Sequence, residues 1–311
     1  MIMHRTDQAA AIRALKSAAP YIRLFKGKVF VIKAGGAVFG DLDATRALIE
    51  QIAILHYFGV KVVFVHGGSQ NAHTWDTTIM ALGCTALAVD LPGHGHSDWR
   101  DDGDYTPISL ADDVAVAVAA LAPNARLVVG MSLGGLTSME LAVRHPRLVR
   151  SLVMVDITPG VNRQKAKAVL DFVNGPQAFP SFESLLERTI EHNPTRTISS
   201  LRRGILHNAR QLDDGSWQWR YDRRGHGRTE VTSEAPDAPP TPSPLWDHFE
   251  HIACPLLLIR GSLSPVVDDD DVAEATRRLP GLELVVVDGA GHSVQGDRPL
   301  ELAELIRGRL G

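Results

Sequence analysis

The chain has 311 residues, enough for one large domain or two small ones. Its 44% apolar and 22% charged residues suit a folded globular protein and exclude a disordered one. With 32 basic against 36 acidic residues and a formal net charge of -4, it carries no basic footprint for nucleic acid. No apolar run approaches the roughly 18 residues that cross a bilayer, so no membrane partner is expected. The N-terminus MIMHRTDQAAAIRALKSAAP lacks the apolar core of a secretory signal. Two cysteines, Cys84 and Cys254, cannot form a disulfide scaffold, and the expected compartment is a reducing cytoplasm. Zinc-type and haem-type cysteine spacings are absent, so neither a metal nor another cofactor is expected.

In chain order, VFVIKA (29–34) reads as a strand and ATRALIEQIAILHYFG (44–59) as an amphipathic helix ending at Gly59. VKVVFVHGG (60–68) is a buried strand running into glycines, and TALAVDLPG (85–93) repeats the design. A helix at 110–121, a strand at 126–132, a helix at 133–145 and a strand at 151–157 follow. Residues 160–250 break the rhythm: helical pieces, the stretch WQWRYD (217–222) and the proline-rich EAPDAPPTPSP (234–244), with no strong strand. The spacing predicts a mostly helical insertion there. Strands at 255–261 and 282–289 then flank a helix opened by Asp268–Asp271, where carboxylates suit the positive end of the helix dipole. Continuous apolar strands alternating with helices predict an α/β protein with a mostly parallel, doubly wound sheet.

Gly130-Met131-Ser132-Leu133-Gly134 is a G-x-S-x-G between a strand and a helix. Glycines two positions either side allow a tight turn that lifts the hydroxyl out of the sheet, and the helix N-terminus adds oriented N–H groups. Ser132 is the candidate nucleophile. His66-Gly67-Gly68 ends another strand, where amides can face a developing oxyanion. The expected oxyanion hole is the N–H of Gly68 (Ser69 as fallback) with that of Leu133. Gly289-Ala290-Gly291-His292 follows the last strand, and a loop histidine there can act as the general base for Ser132.

Together VHGGSQNAHTWD (65–76), VDLPGHGHSD (89–98), GMSLGG (130–135) and GAGHSVQGDRP (289–299) resemble the α/β-hydrolase fold enzymes of the esterase and lactonase type. The resemblance covers residues from about 60 onward. It implies a lid at 160–245 between core segments 69–159 and 246–311. Such enzymes often hold the catalytic acid in G-x-x-D-P after the next-to-last strand, but here Ser264 stands at the aspartate position of Gly261–Pro265. Other members place the acid one strand earlier, where this chain has Asp156. Asp268 is the alternative. The implied activity is a serine hydrolase cleaving a small-molecule carboxylic ester, thioester or lactone through an acyl-enzyme. A Ser132–His292–Asp156 triad would carry it without cofactor or metal.

The N-terminus departs from that family, which begins with an antiparallel strand pair. Residues 21–68 resemble the opening of N-acetylglutamate kinases of the amino-acid kinase family, where Lys33, Gly35 and Gly36 would address nucleotide phosphates. Both families share VHGG after a strand, so the chain reads as a crossover at that tetrapeptide. Residues 1–68 would then replace the usual first strand pair with a βαβ unit. Two further readings follow: a catalytically silent chimera, and a truncated kinase, which an ATP-induced thermal shift would reveal.

Overall fold

The structure, a computed structural model, describes residues 59–162, 164–224 and 243–310. The strand expected at 29–34, most of the helix at 44–59, and Lys33, Gly35 and Gly36 lie outside the described residues. So does most of the proline-rich stretch at 234–244. β1 (Val62–Val65) leads through a 3-10 turn into α1 (Asp76–Leu82). β2 (Ala86–Val89), α2 (Pro107–Leu121), β3 (Leu127–Met131), α3 (Leu133–Arg144) and β4 (Leu152–Val155) follow. Next come α4 (Lys167–Val173), β5 (Ala178–Phe179), α5 (Phe182–Glu191), α6 (Ile198–Asn208), β6 (Ala209–Gln211), β7 (Trp217–Trp219) and α7 (Leu245–Phe249). The chain closes with β8 (Leu256–Gly261), α8 (Asp269–Arg278), β9 (Glu283–Val287), α9 (Val294–Asp297) and α10 (Pro299–Gly308).

Six strands form one sheet in the order β2-β1-β3-β4-β8-β9, every neighbouring pair parallel. Side chains alternate between its faces. Val63, Val65, Val128, Met154 and Leu258 enter one apolar cluster with Leu110, Val114 and Val118 of α2 and Met139 of α3. Val62, Phe64, Val129, Val153 and Ile259 enter the other with Ile79 of α1 and Leu302 and Ile306 of α10. Burial on both faces is why the strands read as continuous apolar runs. Each such aliphatic side chain contributes roughly 1.5–3 kcal/mol of transfer free energy. This is the mostly parallel, two-faced α/β sheet expected from the sequence.

The order has one functional consequence. The chain moves outward from β1 to β2, then crosses back to β3 and continues to β9 in the opposite direction. Loops after β1 and β3 therefore part at their carboxyl ends and leave a crevice, the usual ligand position in open parallel sheets.

The segment between β4 and β8 differs from the helical expectation in one respect. It carries a three-stranded antiparallel sheet, β5-β7-β6, alongside its helices. Strands of two or three residues are too short to show period-two alternation, which needs four to eight. The segment has its own apolar cluster, including Phe179, Leu185, Leu201, Ile205, Trp219 and Tyr221. Trp219 meets Phe172 and Phe179 edge-on and stacks on Tyr221. The WQWRYD stretch is thus the core of this segment.

Candidate active site

β3 ends at Met131, α3 begins at Leu133, and Ser132 is the single residue between them. Its backbone is at φ 52°, ψ -123°, a region that side chains rarely adopt. Such strain persists only where the surroundings over-determine it. Here they do. A Cβ on Gly130 would strike the carbonyl of Gly134, and one on Gly134 would strike the carbonyls of His66 and Val65. Both glycines of G-x-S-x-G are needed for backbone to pass backbone. Ser132 N–H donates to Val155 O at 3.2 Å, tying the elbow to β4.

The Ser132 hydroxyl lies 3.1 Å from His292 Nε2, and His292 Nδ1 lies 2.7 Å from Asp156 Oδ2. His292 stands in the loop between β9 and α9. That loop crosses the end of β8, where a Cβ on Gly261 would meet the carbonyls of Ala290 and Gly291. With the Nδ1 proton donated to the carboxylate, Nε2 is left to accept from Ser132 Oγ–H.

Asp156 follows β4, also with positive φ (53°), and is fully buried. Its Oδ1 accepts from Gly261 N–H at 2.9 Å, and its Oδ2 accepts from the Ser264 hydroxyl as well as from His292. Three donors thus satisfy a carboxylate that has left water. The Ser264 hydroxyl thus directly contacts Asp156, which reaches in from the previous strand. Ser264 Oγ in turn accepts from Val266 N–H at 3.2 Å. Asp268 is engaged elsewhere. It caps α8 by accepting from Asp271 N–H at 2.9 Å and pairs with Lys165 at 2.8 Å.

The His-Gly-Gly turn rests against the elbow. A Cβ on Gly68 would sit 3.8 Å from Leu133 Cδ2, and one on Gly67 would crowd Met131 Sδ at 2.6 Å. The turn is braced from below by buried His66, whose Nε2 accepts from Leu91 N–H at 3.0 Å while Nδ1 faces Gly67 O at 2.7 Å. Accepting at Nε2 places the ring proton on Nδ1, so His66 supports the turn and is not a base. Asp90, first acid of VDLPGHGHSD, holds the adjoining loops by accepting from Ala72 N–H (2.8 Å) and His96 N–H (2.9 Å).

Several residues at the site gave no sequence signal. Asn208, at the end of α6, donates to Ser69 O at 2.6 Å, and Asn71 donates to His207 O at 3.0 Å. Tyr221 is buried in the same segment, and burial pushes its phenol up to about 12. The segment between β4 and β8 is therefore fastened to the residue that follows Gly68. Between them lies a cavity of about 450 Å³, lined by Gln70, Asn193, Arg196, Trp219, Ser293 and Gln295 among others. Its lining includes Ser69 and Ser293, the chain neighbours of Gly68 and His292.

Among the described residues, one group could gather on a metal ion: His73, Asp76 and His207. The two imidazoles stack at 3.8 Å with planes 18° apart, and His73 Nδ1 lies 2.9 Å from Asp76 Oδ2. Stacked rings point their in-plane lone pairs alongside one another instead of converging them on one centre. Cys84 and Cys254 are free and partly buried, and burial pushes both thiols up, away from the reactive thiolate. No helix among the described residues is long and apolar enough to cross a membrane.

The comparisons with known proteins agree with this fold. The model of the alpha/beta hydrolase family matches residues 62–305, and that of the amino acid kinase family matches residues 28–88. The esterase Rv0045c of Mycobacterium tuberculosis is 46% identical over 86% of this chain and 89% of its own length. A solved structure of that esterase superposes with a TM-score of 0.70 at 44% identity, over 81% of this chain and 85% of that one. E-2-(acetamidomethylene)succinate hydrolase superposes with a TM-score of 0.72 at 27% identity, over 81% and 91%. From the elbow to the histidine loop, the chain is an enzyme of the alpha/beta hydrolase family.

Proposed function

We propose that the chain is a serine hydrolase of carboxylic esters, extending to thioesters or lactones, that works through an acyl-enzyme. The observation that carries this is the hydrogen-bonded series Ser132–His292–Asp156 at the switch point of a parallel sheet. The relative at 46% identity bears the name esterase, which supports the ester as the scissile group.

His292 Nε2 takes the Ser132 proton as Oγ attacks the carbonyl carbon. Asp156 holds the ring in the tautomer that leaves Nε2 free and stabilises the imidazolium that forms. The N–H groups of Gly68 and Leu133 receive the oxyanion, in a crevice where fixed dipoles act more strongly than in water. The imidazolium protonates the departing alcohol, and water activated by the same histidine then releases the acid and restores Ser132. Residues 160–245 act as a lid whose cavity selects the substrate. Ser264 keeps Asp156 aimed at His292.

The test is hydrolysis of a short p-nitrophenyl acyl series beside Ser132→Ala, with a fluorophosphonate probe reporting covalent labelling of Ser132. Turnover and labelling that both vanish in the variant are expected. A second reading rests on the amino-acid-kinase match over 28–88, which overlaps the hydrolase match: a chimera joined near VHGG, with a silent site. A folded protein whose Ser132 resists the probe would favour it.

A further inference from the structure

Arg196 lies between α5 and α6 and lines the cavity that opens beside Ser69 and Ser293. Its side chain is partly buried. Burial lowers its pKa, and the charge of Asp297 only partly offsets this. Nη2 donates to Ser200 Oγ at 2.8 Å, while Nε is buried with no hydrogen-bond partner. Among the described residues no carboxylate lies within ion-pair distance of it. Three buried carboxylates among the described residues are matched: Asp156 by three donors, Asp271 by Lys165 at 2.7 Å, Glu140 by His248 at 2.7 Å. Withdrawing a guanidinium from water without an anion is costly, and an anionic ligand entering the cavity would offset that cost. Arg203, also lining the cavity, donates to Thr77 Oγ1 at 2.9 Å and likewise has no carboxylate partner among the described residues.

The position fits a substrate group. A Cβ on Gly296 would lie 2.8 Å from Arg196 Nε, so the guanidinium packs closely over the segment four residues past His292. The neighbouring Thr195 donates to Asp297 Oδ2 at 3.0 Å, and the same oxygen accepts from Gly291 N–H at 2.7 Å, next to His292. The residue before Arg196 is thus tied to the histidine loop, and Arg196 itself lies on the wall of the cavity.

We infer that the cavity selects esters carrying a carboxylate at the end of the acyl chain remote from the scissile bond, with Arg196 as the group that binds it. This rests on Ser132 being the nucleophile. A forked guanidinium offers two parallel donors to a carboxylate, and a charge-assisted pair out of bulk water is worth more than a neutral one.

Methyl valerate and monomethyl glutarate differ only in a terminal methyl against a terminal carboxylate, and their hydrolysis can be followed by proton release. The expected kcat/KM is at least about tenfold higher for the glutarate ester, a factor worth about 1.4 kcal/mol. Arg196→Gln should erase that preference chiefly through KM, and Arg196→Lys should restore part of it. Equal losses on both esters in Arg196→Gln would instead mark Arg196 as a structural partner of Asp297 and overturn the inference. So would a wild-type preference for the valerate ester. Turnover of neither ester, with Ser132 unlabelled by the fluorophosphonate, would overturn the hydrolase reading itself; labelling without turnover of the glutarate ester overturns only the carboxylate pocket.

Discussion

Two aspartates compete on paper for one role, and their environments separate them. Asp156 is buried, contacts His292 Nδ1 at 2.7 Å and accepts from Gly261 and Ser264. Asp268 is half-exposed at the start of α8, where it accepts from Asp271 N–H and pairs with Lys165. Asp156→Asn should lower kcat by about 10³–10⁴, because the amide favours the wrong imidazole tautomer. Asp268→Asn should cost about 1 kcal/mol or less of stability, since asparagine still caps, and leave turnover within about twofold. Steady-state kinetics with a denaturant melt on both variants checks the pair, and similar kinetic losses would refute the assignment. The glycines around Ser132 were legible for a simple reason: a turn that presses backbone on backbone admits no Cβ, so the requirement is written in residue type. Asp156 was harder to read, because the contact that selects it joins β4 to a loop 136 residues further along.

At the level of elements, the attachment of α6 to the Gly67–Gly68 turn matters most. Ser69 has φ of 60°, and its carbonyl accepts from Asn208 at the end of α6. The turn that would receive the oxyanion is therefore set partly by the segment that covers it. Asn208→Ala should reduce kcat/KM by about 10- to 100-fold, in line with the cost of a displacement of about 1 Å, while Ser132 still reacts with the probe. Unchanged kinetics in that variant would mean the turn keeps its shape without α6. Neither asparagine was visible in advance. A polar residue at a helix end reads as an ordinary cap, and its partner across the crevice is more than a hundred residues away. The small β5-β7-β6 sheet was equally hidden, because its strands are shorter than the pattern that announces a strand.

Across the whole molecule, one phenol joins the β4–β8 segment to the sheet domain and another lies within that segment's core. Tyr105 donates to Asp222 Oδ2 at 2.7 Å, and Tyr221 packs in the segment's core against Trp219. Burial pushes both phenols from the ordinary 10.0 up to about 12, helped at Tyr105 by the bond to Asp222. A raised folded-state value means this contribution to stability is fully present below pH 10.0 and is lost as pH rises through about 12. Urea midpoints at increasing pH from 9 upward, about one to two units to either side of the ordinary value, should fall. Tyr105→Phe should start lower by about 1 kcal/mol and fall less steeply. A parallel slope in the variant would exclude Tyr105 from the linkage. By itself the sequence determined the α/β class, the two-faced sheet and the places of Ser132, His66-Gly67-Gly68 and His292 in its order, because periodicity and glycine spacing are local. Only the tertiary structure decided which aspartate meets His292, that Ser264 stands beside it, how α6 grips the Ser69 turn, and that Arg196 has no carboxylate partner among the described residues. Those depend on contacts between residues far apart in the chain, and no local pattern encodes a partner's position.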